Sequence, residues 1–193
     1  MPKVESFDRK VVLQKATEVF HNKGYNGTSM QDLVDATELN RSSIYNSFGS
    51  KLSMFLEVLT HYQSIYNKKF STELSNVYNA AEGLDTIFKL YIDDILTDDN
   101  QKGCLIVNCK AEMANQELSI KAFMEKNQDR MLAVLEDIVN KGQMEKVFNN
   151  DQTATQYALY LFSAIQGLRM VGILNKNENE LRSIVKSTTK VLL

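Results

Sequence analysis

The sequence predicts an all-α protein, with three small N-terminal helices followed by a larger helical bundle. The only proline is Pro2, so no later segment carries the residue that breaks helices. With 8 glycines, the composition is that of a mostly helical protein and not of a β-sandwich or β-barrel. Apolar residues also recur at helical spacing. The 193 residues, 44% of them hydrophobic, are enough to bury a substantial core.

The first two predicted helices are short and amphipathic. Residues 7–23 place one apolar stripe on a single helix face, formed by Val12, Ala16, Val19 and Phe20. This helix ends at Gly24, because a glycine that follows a lysine is a usual helix stop. Thr28 or Ser29 can then cap a second helix, which ends near Ala36.

A three-residue turn, residues 37–39, separates the second helix from a third. Asn40 can cap the third helix, and Gly49 ends it. Two short helices joined by such a turn match the helix-turn-helix pattern. Their apolar residues would pack against the stripe of the first helix, and these are Met30, Leu33, Val34, Leu39, Ile44 and Phe48.

The remaining helices are longer. Ser50 can cap a helix from Lys51 to about Tyr78. Helical spacing predicts the others at residues 84–97, 103–115, 118–141, 152–174 and 178–192. The predicted domain boundary lies at Gly49 and Ser50. It gives two domains, a three-helix domain at residues 1–50 and a helical bundle at residues 51–193.

The outward face of the third helix is polar, and it carries Arg41, Ser42, Ser43 and Asn46. Such side chains can reach base edges and phosphates in a major groove. The helix N-termini at Thr28, Ser29 and Asn40 present backbone N–H groups suited to phosphate oxygens. Lys51 stands just beyond as a further phosphate contact. Charge by itself does not indicate DNA, because residues 1–51 hold seven cations and six anions, a net charge of +1.

The stretch from Val12 to Phe55 resembles the N-terminal domain of the TetR/AcrR regulator family. The resemblance rests on the KGY and TS pairs, the S-x-Y-x-x-F-x-S-K run and their spacing. It implies a DNA-binding homodimer with a ligand-binding and dimerisation bundle, and a palindromic operator as partner. Carried over by position, the phosphate contacts would be Thr28, Ser29, Tyr45 and Lys51. The residues at or near base edges would be Asn40, Arg41, Ser42, Ser43 and Asn46.

One position departs from the family pattern. Family members usually place glycine in the turn where this chain has Glu38, which would have to accept a strained backbone close to DNA. Packing offers other interpretations of some site residues. Tyr45 can be an aromatic at the edge of the core, Ser42 and Ser43 can be solvated, and Asn40 can act as a cap first. Packing explains Arg41 and Lys51 least well.

Residues 152–192 resemble the helix pair through which the family dimerises. Tyr157–Leu174 is too apolar to have only one buried face, and pairing across a two-fold axis explains this. Gly167 and Gly172 would let a partner helix approach. The alternative is a central core helix. In a dimer each domain at residues 1–50 reads one half-site, and half-sites lie roughly 34–36 Å apart or a multiple of that distance.

The middle helices should enclose a pocket for an apolar small-molecule effector, although each candidate can instead belong to the core. The candidates are Phe88, Tyr91, Ile95, Cys104, Met113, Phe123, Met124, Met131 and Tyr160. Cys104 lies in a KGCLIVN run that is familiar from the family. It can be a reactive thiolate that senses oxidants or electrophiles, or a small buried hydrophobe. Its spacing from Cys109 is poor for a disulfide, which favours a reduced, cytoplasmic protein.

The leading hypothesis is a ligand-responsive repressor that a small molecule releases from its operator. A small-molecule sequestering protein is the second, supported by Glu38 and the weak basic bias. An enzyme is not expected, because His21 and His61 have no evident catalytic partner and no known catalytic, metal or cofactor motif is present. No signal peptide is expected. No apolar run is expected to be long enough to span a membrane.

Overall fold

The computed structural model describes residues 7–98 and 100–193. Within these residues the chain forms nine α-helices and no strand, so the all-α prediction is confirmed. The helices are α1 (Arg9–Lys23), α2 (Met30–Thr37), α3 (Arg41–Phe48), α4 (Lys51–Leu74), α5 (Ala80–Leu96), α6 (Leu105–Met113), α7 (Leu118–Met144), α8 (Ala154–Leu174) and α9 (Glu178–Thr189). A short 3-10 helix, Lys190–Leu192, follows α9.

Side-chain caps set several helix starts. Ser50 caps α4, because its oxygen accepts a hydrogen bond from the Ser53 amide. Asn79 caps α5 in the same way through the Glu82 amide, so α5 begins four residues before the predicted start at residue 84. The predicted extension of α4 to Tyr78 is wrong, because the helix ends at Leu74 and leaves a short connection before the α5 cap.

Two hydrophobic cores hold the helices together. The first contains α1–α3, the first half of α4, α6 and the start of α7. The second is formed mainly by α5, α7, α8 and α9. We call α1–α3 the head and α4–α9 the body. The predicted domain boundary between residues 50 and 51 stays a prediction, since the core of the head continues through Met54, Phe55, Val58 and Leu59 of α4.

Helix α8 is the most apolar helix of the body. Its 21 residues include an 18-residue window of mean hydropathy 1.4, which by length and composition alone could cross a membrane. This corrects the expectation that no run is long enough. One such helix is a weak indication, because core helices pass the same test. Its buried side packs into the second core through Leu161, Ile165 and Leu168.

The two glycines of α8 face different surroundings. A Cβ on Gly172 would lie 2.6 Å from Ile95, so Gly172 allows α5 to approach within the same subunit. The expectation that Gly172 faces a partner helix is therefore wrong. A Cβ on Gly167 would meet no atom within 4 Å, so this glycine lies on an open face of α8.

Candidate nucleic-acid interface

Helix α2 begins with a reciprocal cap. Ser29 Oγ accepts a hydrogen bond from the Asp32 amide at 3.1 Å, and Asp32 Oδ2 accepts one from the Ser29 amide at 2.8 Å. Asp32 also pairs with Lys23, with 2.5 Å between Nζ and Oδ1. The hydrogen bond from Lys23 and those from Ser29 lower the pKa of Asp32 to about 2. A carboxylate therefore stays charged near the start of α2.

Glu38 ends α2 in the left-handed backbone conformation, with φ of 61°. The predicted strain of a non-glycine residue in this turn is therefore present. Its carboxylate pairs with Lys15 of α1, with 2.6 Å between Nζ and Oε1. The hydrogen bond from Lys15 lowers the pKa of Glu38. This pair offsets the negative charge of Glu38 on the head.

Helix α3 divides into a buried face and an exposed face. Asn40 caps the helix, because its Oδ1 accepts a hydrogen bond from the Ser43 amide at 2.8 Å. Ile44 and Phe48 lie in the first core. The side chain of Tyr45 is 45% exposed, so it is not a residue of the core. The outward residues also include Arg41, Ser42 and Asn46, and Ser43 is half-buried.

The outward side chains of α3 are free of intramolecular polar contacts. Among the described residues, the side chains of Arg41, Ser42, Tyr45 and Asn46 form no hydrogen bond or ion pair. Donors on a solvated helix face can exchange water for base edges or phosphates without breaking protein contacts. This face therefore has the chemistry that a recognition helix needs.

Two residues predicted to contact phosphates use their side chains in hydrogen bonds within the protein. Thr28 is 1% exposed, and its hydroxyl donates to the Gly24 carbonyl at 2.6 Å. The structure corrects the expectation that the Thr28 side chain contacts a phosphate, because this side chain instead stabilises the turn. Lys51 Nζ donates to the carbonyl oxygens of Tyr25 and Thr28 at 2.9 and 2.8 Å. Only one of its three N–H groups is left for a phosphate.

The same turn is held from the body by Glu112 of α6. Its carboxylate accepts hydrogen bonds from the amides of Tyr25 and Asn26 at 3.0 and 2.8 Å. Gly24 precedes them with φ of 69°, and a Cβ there would lie 2.9 Å from a Glu112 oxygen, so only glycine fits. His21 of α1 adds a bond of 2.9 Å between Nε2 and the Gly103 carbonyl, and burial lowers its pKa.

A cavity of about 510 Å³ lies in the body between α4, α6, α7 and α8. Of the predicted pocket residues, Tyr91, Met124 and Met131 line it. Ile95 and Cys104 line a smaller neighbouring cavity of about 230 Å³, which also touches Tyr91. The other predicted residues line neither cavity, and these are Phe88, Met113, Phe123 and Tyr160.

The sequence prediction missed three residues that line both cavities: Tyr62, Tyr66 and Arg169. A signal for Arg169 was present, because it is the one charged residue of α8. The two tyrosines gave a weaker signal, since they lie four residues apart on α4 and share a face of the helix. The hydroxyl of Tyr62 donates to that of Tyr66 at 3.2 Å.

The two cysteines are free and buried. Cys104 occupies the position before the first residue of α6, and Cys109 lies within that helix. Burial raises the pKa of Cys109 to about 12, so its thiol stays protonated at neutral pH. Within the described part of the chain, no group of three or more His, Cys, Asp or Glu side chains could hold a metal ion.

Comparison with known families matches both parts of the chain. Residues 12–58 match a family model described as bacterial regulatory proteins of the tetR family. Residues 80–188 match a second model, described as a tetracyclin repressor-like C-terminal domain. The second match alone covers more than half of the 193 residues.

Curated relatives are similar over nearly the whole chain. The uncharacterized HTH-type transcriptional regulator YezE of Bacillus subtilis is 24% identical over 193 residues, 100% of both chains. The repressor DhaR of Mycobacterium sp. is 24% identical over 96% of this chain and 92% of its own. The repressor ComR of Escherichia coli is 25% identical over 98% of this chain and 90% of its own.

Solved structures share the fold. The TetR-family regulator CifR, as a cysteine mutant with a 26-bp double-strand operator DNA, superposes with a TM-score of 0.84 at 23% identity, covering 96% of this chain and 97% of its own. The reduced form of Escherichia coli NemR superposes with a TM-score of 0.80 at 20% identity, with 96% of each chain covered. With both family models matched, the chain belongs to the TetR family and is a DNA-binding transcriptional regulator rather than an enzyme.

Proposed function

We propose that this regulator is a repressor that binds a palindromic operator as a homodimer and is released from it by a small molecule. The observation that carries the DNA-binding site is the outward face of α3, on which Arg41, Ser42, Tyr45 and Asn46 are exposed and unpartnered. We expect the protein to act in the cytoplasm, where operator DNA is accessible.

In this proposal α3 lies in the major groove. Arg41 and Asn46 read base edges, since guanidinium and amide groups make paired hydrogen bonds to guanine and adenine. Tyr45 contacts phosphates, and the exposed Asn40 amide lies beside it. The Ser29 hydroxyl contributes chiefly to the cap of α2, because it donates to Asp32 Oδ2 at 2.8 Å. Lys51 contributes chiefly by fixing the turn before α2, because two of its donors are used within the protein.

Dimerisation through α8 and α9 is supported by an apolar stripe on the outer face of α8. The stripe follows the i, i+3 and i, i+4 spacing of a helix face and consists of Leu159, Ser163, Gly167, Met170, Val171 and Leu174. Small residues at its centre permit close approach by a second helix. A two-fold axis there would pair the stripe with its own copy.

Effector control would act through α6. This helix lines the large cavity with Ile106, Val107 and Lys110, and its Glu112 holds the turn at the base of the head. An effector that shifts α6 would therefore move the turn that positions α2 and α3. By linkage, operator DNA would weaken effector binding by the same factor.

The site assignment is tested with Arg41→Ala and Asn46→Ala in fluorescence anisotropy at fixed salt. A duplex selected from random sequence serves as the probe. Each variant should lose about 5- to 100-fold in affinity, because each removes a base contact worth about 1–3 kcal/mol. Lys126→Ala, on the exposed surface of α7, removes a cation from the body and should bind like the wild type.

Two results would contradict the proposal. One is unchanged affinity in both α3 variants. The other is a selection that enriches no palindrome, which would favour the sequestering protein that binds small molecules without acting on DNA.

A further inference from the structure

The large cavity of the body has an unusual charge pattern. Four cations line it, namely Lys68, Lys110, Arg130 and Arg169, and the described residues that line it include no aspartate or glutamate. Lys68 and Arg130 are exposed, and Lys110 is half-buried. A cavity that holds only neutral apolar molecules has no need of this excess of positive charge.

Of these four cations, Arg169 is the one that also lines the smaller cavity. It lies on the wall between the two cavities, with Tyr62, Tyr66 and Tyr91 around it. Its guanidinium carbon lies 4.9 Å from the centre of the Tyr91 ring, a cation–π contact. Within the described part of the chain, Arg169 forms no hydrogen bond and no ion pair.

Arg169 is half-buried, and a charge that is partly removed from water without an ionic partner is costly. Two carboxylates line the smaller cavity, and one of them, Asp98, lies 3.8 Å from Lys176 Nζ. The other is Asp94, whose Oδ2 is buried and has no hydrogen-bond partner among the described residues. Its Oδ1 pairs with Lys69 at 2.6 Å, and it forms no ion pair with Arg169. The donors of Arg169 are therefore left for a group that enters from the large cavity, where no carboxylate of the protein competes.

Neutral phenol groups stand beside Arg169. Burial raises the pKa of Tyr66 to about 12, and burial also raises the pKa of Tyr62 and Tyr91. These hydroxyls therefore keep their protons at neutral pH. A guanidinium flanked by phenol donors favours a planar anion, because arginine binds a carboxylate with two parallel hydrogen bonds.

The rest of the cavity is apolar, with Ile106, Val107, Met124, Met131 and Phe162 in its wall. Its volume of about 510 Å³ lies within the roughly 300–1,000 Å³ of small-molecule sites. We propose that the effector is an amphipathic organic acid, whose carboxylate binds Arg169 and whose apolar part fills the methionine-lined end. This inference rests on the proposed effector-controlled function and narrows the effector to one chemical class.

Calorimetry on the intact protein without DNA tests the inference with two matched pairs of probes. The pairs are octanoate with 1-octanol, and 4-phenylbutyrate with 4-phenylbutanol. Each acid is ionised at neutral pH. We expect at least one acid to bind about 10- to 100-fold more tightly than its alcohol, because a charge-assisted hydrogen bond is lost with the carboxylate.

Variants of Arg169 test whether this residue causes the preference for acids over alcohols. Arg169→Met should bind acid and alcohol equally, whereas Arg169→Lys should keep part of the preference because it keeps the charge. Arg182→Met, on the exposed side of α9, removes the same residue type and should behave as the wild type. Thermal unfolding gives a second readout, because removing an arginine without an anionic partner should leave Tm unchanged or raised. A structural arginine would lower it.

The inference is overturned if neither acid binds, if acids and alcohols bind alike, or if Arg169→Met keeps the wild-type preference. Its failure is separable from failure of the regulator proposal, since calorimetry needs no DNA and the operator measurement needs no effector. A chain that selects a palindrome but shows no acid preference remains a repressor with another class of effector.

Discussion

Glu38 adopts a backbone conformation that glycine accepts more easily, at the one point of the helix-turn-helix where the chain reverses direction. The residue keeps this conformation because the buried side chains of α2 and α3 on either side fix it. Its carboxylate lies exposed on the head, and Lys15 offsets the charge. Glu38 therefore combines a strained backbone with a negative charge that Lys15 only offsets.

Replacement of Glu38 by glycine separates these two effects. Glu38→Gly should raise Tm by about 1–4 °C, because glycine adopts positive φ without a Cβ clash. It should also strengthen operator binding, since a carboxylate is removed and Lys15 is freed. Differential scanning calorimetry and anisotropy measure the two effects.

Lys146 provides the matched control, because it has φ of 60° in the connection after α7, far from the head. Lys146→Gly should also raise Tm but should leave operator affinity unchanged. Equal changes of affinity in the two variants would show that Glu38 does not act through its charge.

At the scale of elements, α6 links head and body, because its buried side chains belong to the first core and its Glu112 reaches the turn after α1. The carboxylate of Glu112 accepts two amide hydrogen bonds from the turn after α1, and bonds of a charged group to amides are stronger than neutral ones. The turn leads directly into α2. Movement of α6 and movement of the recognition unit are therefore coupled both by Glu112 and by the core that they share.

Removal of this side chain should loosen the turn. Glu112→Ala should destabilise the protein by about 1–3 kcal/mol and speed hydrogen exchange at the amides of Tyr25 and Asn26. Exchange measured by NMR and unfolding in urea test this. Glu125→Ala is the control, because Glu125 makes only an exposed ion pair with Lys121 on α7. Unaltered exchange at both amides would show that Glu112 does not hold the turn.

Sequence patterns predicted the helices well where local signals determine them. Ser29, Asn40 and Ser50 act as the expected caps, since capping depends only on neighbouring amides. The start of α5 was missed because its cap, Asn79, precedes the first apolar stripe by several residues. Boundaries set by a cap alone are harder to place than those set by periodicity.

The candidate site, like the helices, was predictable where local sequence signals determine it. The outward face of α3 follows from helical periodicity, so its exposed donors could be identified. The inward roles of Thr28 and Lys51 could not, because they depend on a turn closed by contacts between residues 24–28 and α4. The cavity was found only in part, since Tyr62 and Arg169 meet across helices distant in sequence.

At the scale of the whole molecule, the outer face of α8 is an apolar surface that no described residue covers, since Leu159, Met170, Val171 and Leu174 are all exposed. Met170 lies in the C-terminal half of the stripe and is 53% exposed. A charge placed there would face its own copy across a two-fold axis, and like charges in a buried interface repel. The proposed homodimer therefore depends on this position.

Met170→Glu should convert the dimer to a monomer at micromolar concentration and lower operator affinity at least about tenfold, because one head alone reads only a half-site. Sedimentation velocity and anisotropy measure these effects. Ile65→Glu places the same charge at an equally exposed residue of α4, 57% exposed, and should remain dimeric. A dimer that persists in Met170→Glu would exclude α8 as the interface.

Helix α4 belongs to both cores, with Met54 to Leu59 beside the head and Phe70 in the body. Its 24 residues span about 36 Å. A pivot of about 5° at the Leu74 end would displace the opposite end by about 3 Å, comparable to one base-pair step. In the proposed function, a small displacement of α4 beside the cavity would therefore become a larger displacement of the head relative to the DNA.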